Sequence, residues 1–501
     1  MRVNSLKSGV CIWGIIGLLL VLSCAKQKTD EPMVAKIGDR TITVQDFRAR
    51  IELTVRPDLP AQNDLDYKKT LLNNLLIEKM FALEAGKDTE ILKRETFRLH
   101  IQGIKEQTMR ERLFYTQAFD KTDPDTNEIK NRYLLSTREY RVQFYSIHRD
   151  ELAEKIRDEF SSNSESLHDF FTELAAGEKI PEHEVKWKDP DPIPLHEALF
   201  SKPLSQDTII GPIKIEDDNW LLMKIVDWKT VPQFGQESVQ RWLDVEEKLH
   251  MNKAQAEWGN YVSAVMKGKT IEFNKDTFNQ LGEMFLTILR AKEPEEKKEI
   301  AKDFLTVEEK DLDLDNLDNK EELLDKPFFT IDGKVWTVRD FRRELMLHPL
   351  VYRKMDLSGD GFAKQFRNAV IDMVRDHYLT KEAYKKRLDK DPQVLKTEEM
   401  WQDSFVAMDF RNKLLDKARA EVKTDSVGRT LAMNKYFEDY IAGLQQKYSK
   451  SVRLDQTELE KIPLTRVNMF VYKEKVPFPI AVPTFPFITN KPELGYGNIL
   501  Q

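Results

Sequence analysis

Apolar positions along the chain follow three rhythms, and each predicts a different backbone. Spacing of three and four runs through Leu71, Leu72, Leu75, Leu76, Phe81 and Leu83, and again through Val370, Ile371, Met373, Val374, Tyr378 and Leu379, the period of amphipathic helices. Charged amphipathic helices continue to about residue 120 after the first run and to about 420 after the second. Alternation by two predicts a strand from Tyr140 to His148, with Val142, Phe144, Ser146 and His148 on one face. Strands at Ile209–Ile215 and Trp220–Ile225 flank a turn at Asp217–Asn219, and helices are expected over Asp150–Phe160 and Ser166–Ala176. The third rhythm is Val476-Pro-Phe-Pro-Ile-Ala-Val-Pro-Thr-Phe-Pro-Phe487, which proline keeps out of a helix and holds extended. This tail, 466–501, either wraps back over its own domain or offers a docking strand. Wrapping is favoured because so many exposed phenylalanines would be a liability.

An internal repeat organises these elements. Ala35-Lys-Ile-Gly-Asp-Arg-Thr-Ile-Thr-Val-Gln-Asp-Phe-Arg48 recurs as Phe329-Thr-Ile-Asp-Gly-Lys-Val-Trp-Thr-Val-Arg-Asp-Phe-Arg342, with Ile, Thr, Val, Asp, Phe and Arg shared in place. Each copy predicts a hairpin turning at Gly38-Asp39 or Asp332-Gly333, dipeptides that supply the positive φ such turns need. Thr43 with Asp46, and Thr337 with Asp340, then read as capping boxes that start a helix. A closing element repeats too: Trp258–Tyr261 heads a helix running into Ile271–Phe273, and Phe437–Tyr440 heads one running into Val452–Leu454. The resulting plan is α+β and mostly α-helical. It has a helical module at 34–135 closed by helices at 234–289, with an inserted domain at 138–229, and a second module at 327–465 without an insert. The charge run at 290–326 reads as an acidic linker or exposed helix.

The N-terminus predicts export. Arg2 and Lys7 precede a thirteen-residue apolar run, Val10–Leu22, which fits a signal peptide over 1–23 and falls short of the ~20 residues a spanning helix needs. It ends in Val21-Leu22-Ser23-Cys24, which resembles the bacterial lipobox and implies lipidation at Cys24 and a polar tether over 24–33. An ordinary signal peptide with an incidental cysteine is the alternative. Only Cys11 and Cys24 exist, so no disulfide framework is available after cleavage. Ala25 in place of Asp points, by the enteric sorting rule, to an envelope protein anchored in the outer membrane and facing the periplasm.

Composition narrows the classes of function. With 33% charged and 41% hydrophobic residues, 19 Gly and 21 Pro, the chain is neither collagen-like, wholly disordered nor polytopic. A net charge of −7 argues against general nucleic-acid binding. Asp356-Leu-Ser-Gly-Asp-Gly361 imitates the start of a calcium loop, but Arg367 stands where a bidentate acid is required. The eight histidines show no metal spacing, and no phosphate loop, dinucleotide fingerprint or nucleophile elbow occurs. No cofactor, metal or nucleotide is therefore expected.

Glu197-Ala-Leu-Phe-Ser-Lys-Pro-Leu204, Ile210-Gly-Pro-Ile213 and Asn219-Trp-Leu-Leu-Met-Lys-Ile225, within a β-α-α-β-β order, resemble the C-terminal half of a parvulin-type prolyl isomerase domain. The opening Val34-Ala-Lys-Ile-Gly with Asp46-Phe47 resembles periplasmic chaperones of the SurA and PrsA kind, so the resemblance spans about 34–285 with an echo at 328–462. It implies two histidines behind a greasy proline pocket. Here the positions aligned with them are apolar, Phe144 and Leu221, and Glu184–Asp189 replaces the family's glycine-rich turn. His148, four residues beyond the first position, reads as a surface or cap residue. No catalytic residue is assigned. Phe144, Leu195, Phe200, Leu221 and Met223 are either the lining of a peptide groove or simply core.

The expectation is a lipid-anchored, ATP-independent chaperone for unfolded exported or outer-membrane polypeptides, touching the membrane through Cys24. An active prolyl isomerase and a structural subunit of an envelope machine are the alternatives.

Overall fold

The computed structural model describes residues 31–56, 64–87, 89–160, 167, 169–173, 180–216, 219–303, 321–353, 358–421, 426–465, 469–494 and 498–499. The signal segment, Cys24, Asp356 and the Asp217-Asp218 turn lie outside them. Among the described residues the chain is α+β and mostly helical, 61% helix and 15% strand, with small sheets. It divides into two compact units, one formed by residues 1–112 with 265–501 and the other by 113–264.

In the first unit, β1 (Met33–Ile37) and β2 (Arg40–Thr43) form a two-residue hairpin with Gly38 at φ +58°. Helix α1 (Val44–Glu52) follows through a complete capping box: Thr43 Oγ1 accepts from the Asp46 amide at 3.1 Å, and Asp46 Oδ2 accepts from the Thr43 amide at 2.9 Å. The chain continues through α2 (Asp64–Ala85) and α3 (Glu95–Gln117). The acidic stretch opens helical: α8 (Lys275–Asp303), numbered after elements of the second unit, runs well into it. The second hairpin is β8 (Pro327–Ile331) and β9 (Lys334–Thr337), with Asp332 and Gly333 both at positive φ, followed by α9 (Val338–Leu347) under the same cap, Thr337 on Asp340. Then come α10 (Gly359–Lys385), α11 (Pro392–Glu421), α12 (Ser426–Tyr448), β10 (Val452–Leu454), α13 (Gln456–Lys461) and β11 (Asn498–Ile499).

The strand pairing corrects the expected modules. β10 pairs antiparallel with β1, Ala35 opposite Leu454 and Ile37 opposite Val452, so the last closing strand returns to the first hairpin. The earlier closing strand, β7 (Glu272–Phe273), instead pairs with β8, Phe273 opposite Phe329. Residues 234–289 therefore do not close the 34–135 module, and 327–465 is split between two cores. Val452 and Leu454 join one core with Val34, Ile37, Leu71, Leu76 and Phe81, whereas Phe273 joins a separate, more aromatic one with Phe328, Phe329 and Phe366. Strands of two or three residues carry too little pattern of their own to choose a partner, so packing on neighbouring faces decides.

The second unit holds α4 (Thr126–Ser136), β3 (Arg138–Ile147), α5 (Asp150–Phe160), β4 (Glu182–Lys186), α6 (Ile193–Phe200), β5 (Ile209–Glu216), β6 (Asn219–Thr230) and most of α7 (Gln236–Met266). Its sheet is antiparallel in the order β4-β3-β6-β5. The expected β-α-α-β-β order is thus incomplete. β4 is an edge strand on which Val185 alone is buried, too polar to show alternation, and α6 fills the expected gap before β5. Of the helix expected over 166–176, the described residues 169–173 are helical.

Candidate peptide-binding surface

The sheet of the second unit buries both faces. On one, Tyr140, Val142, Met223 and Ile225 pack against Leu195, Leu199 and Phe200 of α6 and against Val245 and Leu249 of α7. On the other, Ile147, Trp220 and Leu222 pack against Ala153 and Ile156 of α5 and against Phe171. A bulge makes the first face continuous. Arg141 pairs with Asp227 and Val142 with Ile225, so the extra residue Val226 lets Trp228 stay on the same side as Ile225. Gly211 sits at φ +114°, and a Cβ there would lie 2.4 Å from the Leu221 carbonyl, so only glycine lets β5 approach β6 this closely.

All five groove candidates converge on the first face, in different environments. Phe144, Met223 and Ile210 form one cross-strand row, and Ser146, Leu221 and Ile213 the next. Leu195, Phe200 and Met223 are buried, with the Phe200 ring 5.5 Å from Tyr140 and 5.3 Å from Trp187. These three are core rather than groove wall, because α6 lies over this part of the sheet. Phe144 and Leu221 stay half-buried at the rim of that core. His148 is exposed, one residue beyond the end of β3.

The polar cluster on this face was not visible in the sequence. His196 is buried between Trp187, with ring centroids 4.3 Å apart, and Phe200 at 4.9 Å, and its Nε2 lies 3.3 Å from the Trp187 carbonyl. Burial pushes its pKa down to about 3, and the Lys248 ammonium adds to the shift. Lys248 itself donates to the same carbonyl at 2.9 Å, and burial lowers its pKa. Packed between the Trp187 and Phe200 rings with Nε2 at the Trp187 carbonyl, the histidine braces the core. Among the described residues no group of three metal-ligating side chains occurs.

Accessible apolar surface lies instead where α4 meets α7. Phe234 is 77% exposed, Val239 62%, Leu134 60% and Leu243 51%. Val239 and Leu243 stand one turn apart on α7, while Arg241, Val245 and Leu249 turn into the domain. Leu134 follows Tyr133, whose hydroxyl lies 2.9 Å from Ser238 Oγ and whose ring lies 5.7 Å from Trp242. The strip was legible in principle, since Val239 and Leu243 form a second apolar face on a helix whose inward face is already supplied.

No family model matches the chain, and neither a curated protein nor a solved structure matches it. Fold and surface define an α+β, mostly helical chain whose two-faced sheet domain carries exposed large apolar side chains on and beside α4 and α7. Among the described residues no helix is long and apolar enough to cross a membrane.

Proposed function

We propose that this chain is an ATP-independent chaperone of the SurA and PrsA kind, lipid-anchored through Cys24 in the cell envelope, on the outer membrane facing the periplasm. Its 138–229 domain is a parvulin-like shell whose isomerase centre is lost. The observation that supports this most is the exposure of four large apolar side chains on or beside α4 and α7, Leu134, Phe234, Val239 and Leu243, the most exposed of that unit. Large apolar side chains held at a surface bind extended apolar segments by many weak contacts, and a client that buries those segments on folding releases itself. Phe144 and Leu221 at the aligned histidine positions support a holding rather than a catalytic role.

The test is suppression of aggregation for several unrelated unfolded clients. The full chain delays aggregation of each, and the triple change Phe234→Glu, Val239→Glu and Leu243→Glu abolishes the delay while leaving the circular dichroism spectrum unchanged. Unimpaired suppression by that variant overturns the reading.

A further inference from the structure

The tail is seated in the first unit by side chains that read its backbone. Gln107 Nε2 donates to the Phe478 carbonyl at 3.0 Å, and its Oε1 accepts from the Phe478 amide at 2.8 Å. Asn74 Oδ1 accepts from the Ile488 and Thr489 amides at 2.6 and 2.8 Å, and its Nδ2 donates to the Thr489 carbonyl at 2.8 Å. Asn73 Nδ2 donates to the Lys491 carbonyl at 3.0 Å, and Arg50 Nη2 to the Thr484 carbonyl at 3.1 Å. All four side chains are buried, on α1, α2 and α3. Between these clamps Phe478, Val482 and Phe485 are buried in apolar pockets. Gly103 makes room for the first: a Cβ there would lie 2.6 Å from the Phe478 ring.

Such a seat is unlike ordinary helix packing. Buried amides on helix faces are unfavourable unless bonded, and here their partners are main-chain groups of an extended, proline-spaced segment. A polypeptide of any sequence offers those carbonyls. The pockets add a preference for aromatic or aliphatic residues between prolines, which cannot fold into a competing helix or strand.

We propose that the α1–α3 seat is a binding site for extended polypeptides that alternate proline with aromatic or aliphatic residues. The chain's own 469–494 segment is the resident occupant, and a client segment of that chemistry displaces it. This rests on the chaperone reading and gives it a regulated second site. The tethered tail competes at a high effective concentration, so the seat opens only to a segment delivered at high local concentration.

The test uses the full chain with a protease site placed at 466–468 and a labelled peptide of residues 476–494. After cutting, the peptide binds about a hundredfold tighter than to the uncut chain, because the competing tail is no longer tethered. Gln107→Leu weakens that binding about tenfold, the effect of losing a paired hydrogen bond, whereas the triple change at Phe234, Val239 and Leu243 leaves it unaltered. Equal binding to cut and uncut chains, or no loss with Gln107→Leu, overturns the proposal. If cutting unfolds the chain, hydrogen exchange on the uncut chain with excess peptide decides. Faster exchange at the Phe478, Ile488 and Thr489 amides supports the site, and unchanged exchange overturns it. These readouts do not depend on aggregation suppression, so failure of the seat and failure of the chaperone reading are told apart.

Discussion

The hairpins Met33–Thr43 and Pro327–Thr337 start from the same local chemistry and finish in two separate cores of different make-up. Both turn on two residues, both end in a threonine that caps the next helix through an aspartate, and both gain a third strand from a remote part of the chain. Around the first, polar groups are buried and paired: Arg50 Nη1 lies 2.8 Å from Glu78 Oε1, and Lys79 Nζ lies 2.8 Å from Asp403 Oδ2. Its cap is tied in as well, with Lys396 Nζ donating to Thr43 Oγ1 at 2.8 Å and pairing with Asp46 at 3.0 Å. Around the second, Phe328, Phe341, Phe362 and Phe366 stack into an aromatic core, and the cap hydrogen bonds face solvent. The difference teaches that turn and cap are local properties whereas the surroundings are set by distant residues. It also shows why the tail docks beside the first hairpin, where buried amides and Arg50 need main-chain partners.

The sharpest break of this comparison is Glu78→Ala, which leaves the Arg50 guanidinium buried without its carboxylate. The expected loss is about 3–5 kcal/mol, read by hydrogen exchange as faster opening at Ile37 with Ile331 little changed. Equal loosening of both hairpins would show that they share one core. Gly103→Ala acts where the regions meet, since its Cβ would lie 2.4 Å from the Leu347 carbonyl at the end of α9 as well as against Phe478. A destabilisation of about 1–3 kcal/mol is expected from overpacking, with exchange at the Phe478 amide rising first.

Acid provides a contrast with the second unit. Unfolded His196 takes up a proton near 6.5 and folded His196 only near pH 3, so the unfolded state binds more protons between those values. The His196 contribution to this unit's stability is full above about pH 6.5 and is lost as pH drops toward 3, by roughly 1.4 kcal/mol per pH unit. His196→Phe flattens that limb, measured by exchange at Leu222, while both hairpins keep their own pH profiles. The smallest effect is at the caps: Thr43→Ala and Thr337→Ala each cost about 1 kcal/mol. The first is the larger because Lys396 also loses a partner, and denaturant melts of the two variants give the ranking.

Much of this architecture could be read from residue patterns. The two turns, both capping boxes, the long helices α2 and α10, and strands β3, β5 and β6 all follow from periodicities of two or three to four residues. What periodicity cannot report is partnership. β10 holds three residues and β7 two, so the exchange of closing strands is carried by the faces they meet. β4 was hidden by its edge position, where Glu182, His183 and Glu184 face solvent. Nothing in the sequence marks Gln107, Asn73 and Asn74, because a buried amide looks identical to an exposed one until its main-chain partner is known. On the candidate surface, residue type grouped Phe144, Leu195, Phe200, Leu221 and Met223 together, and only packing separates Phe144 and Leu221 at the rim from the other three in the core.

The most direct test of the holding role is photo-crosslinking from the strip. A benzoylphenylalanine side chain is placed at Val239, Leu243 or, as an exposed reference outside the strip, His148, and an unfolded client is added to the full chain. The account predicts crosslinks from 239 and 243 that vanish once the client has folded, and none from 148. Crosslinks of equal strength from all three positions, or none from 239 and 243, would contradict it.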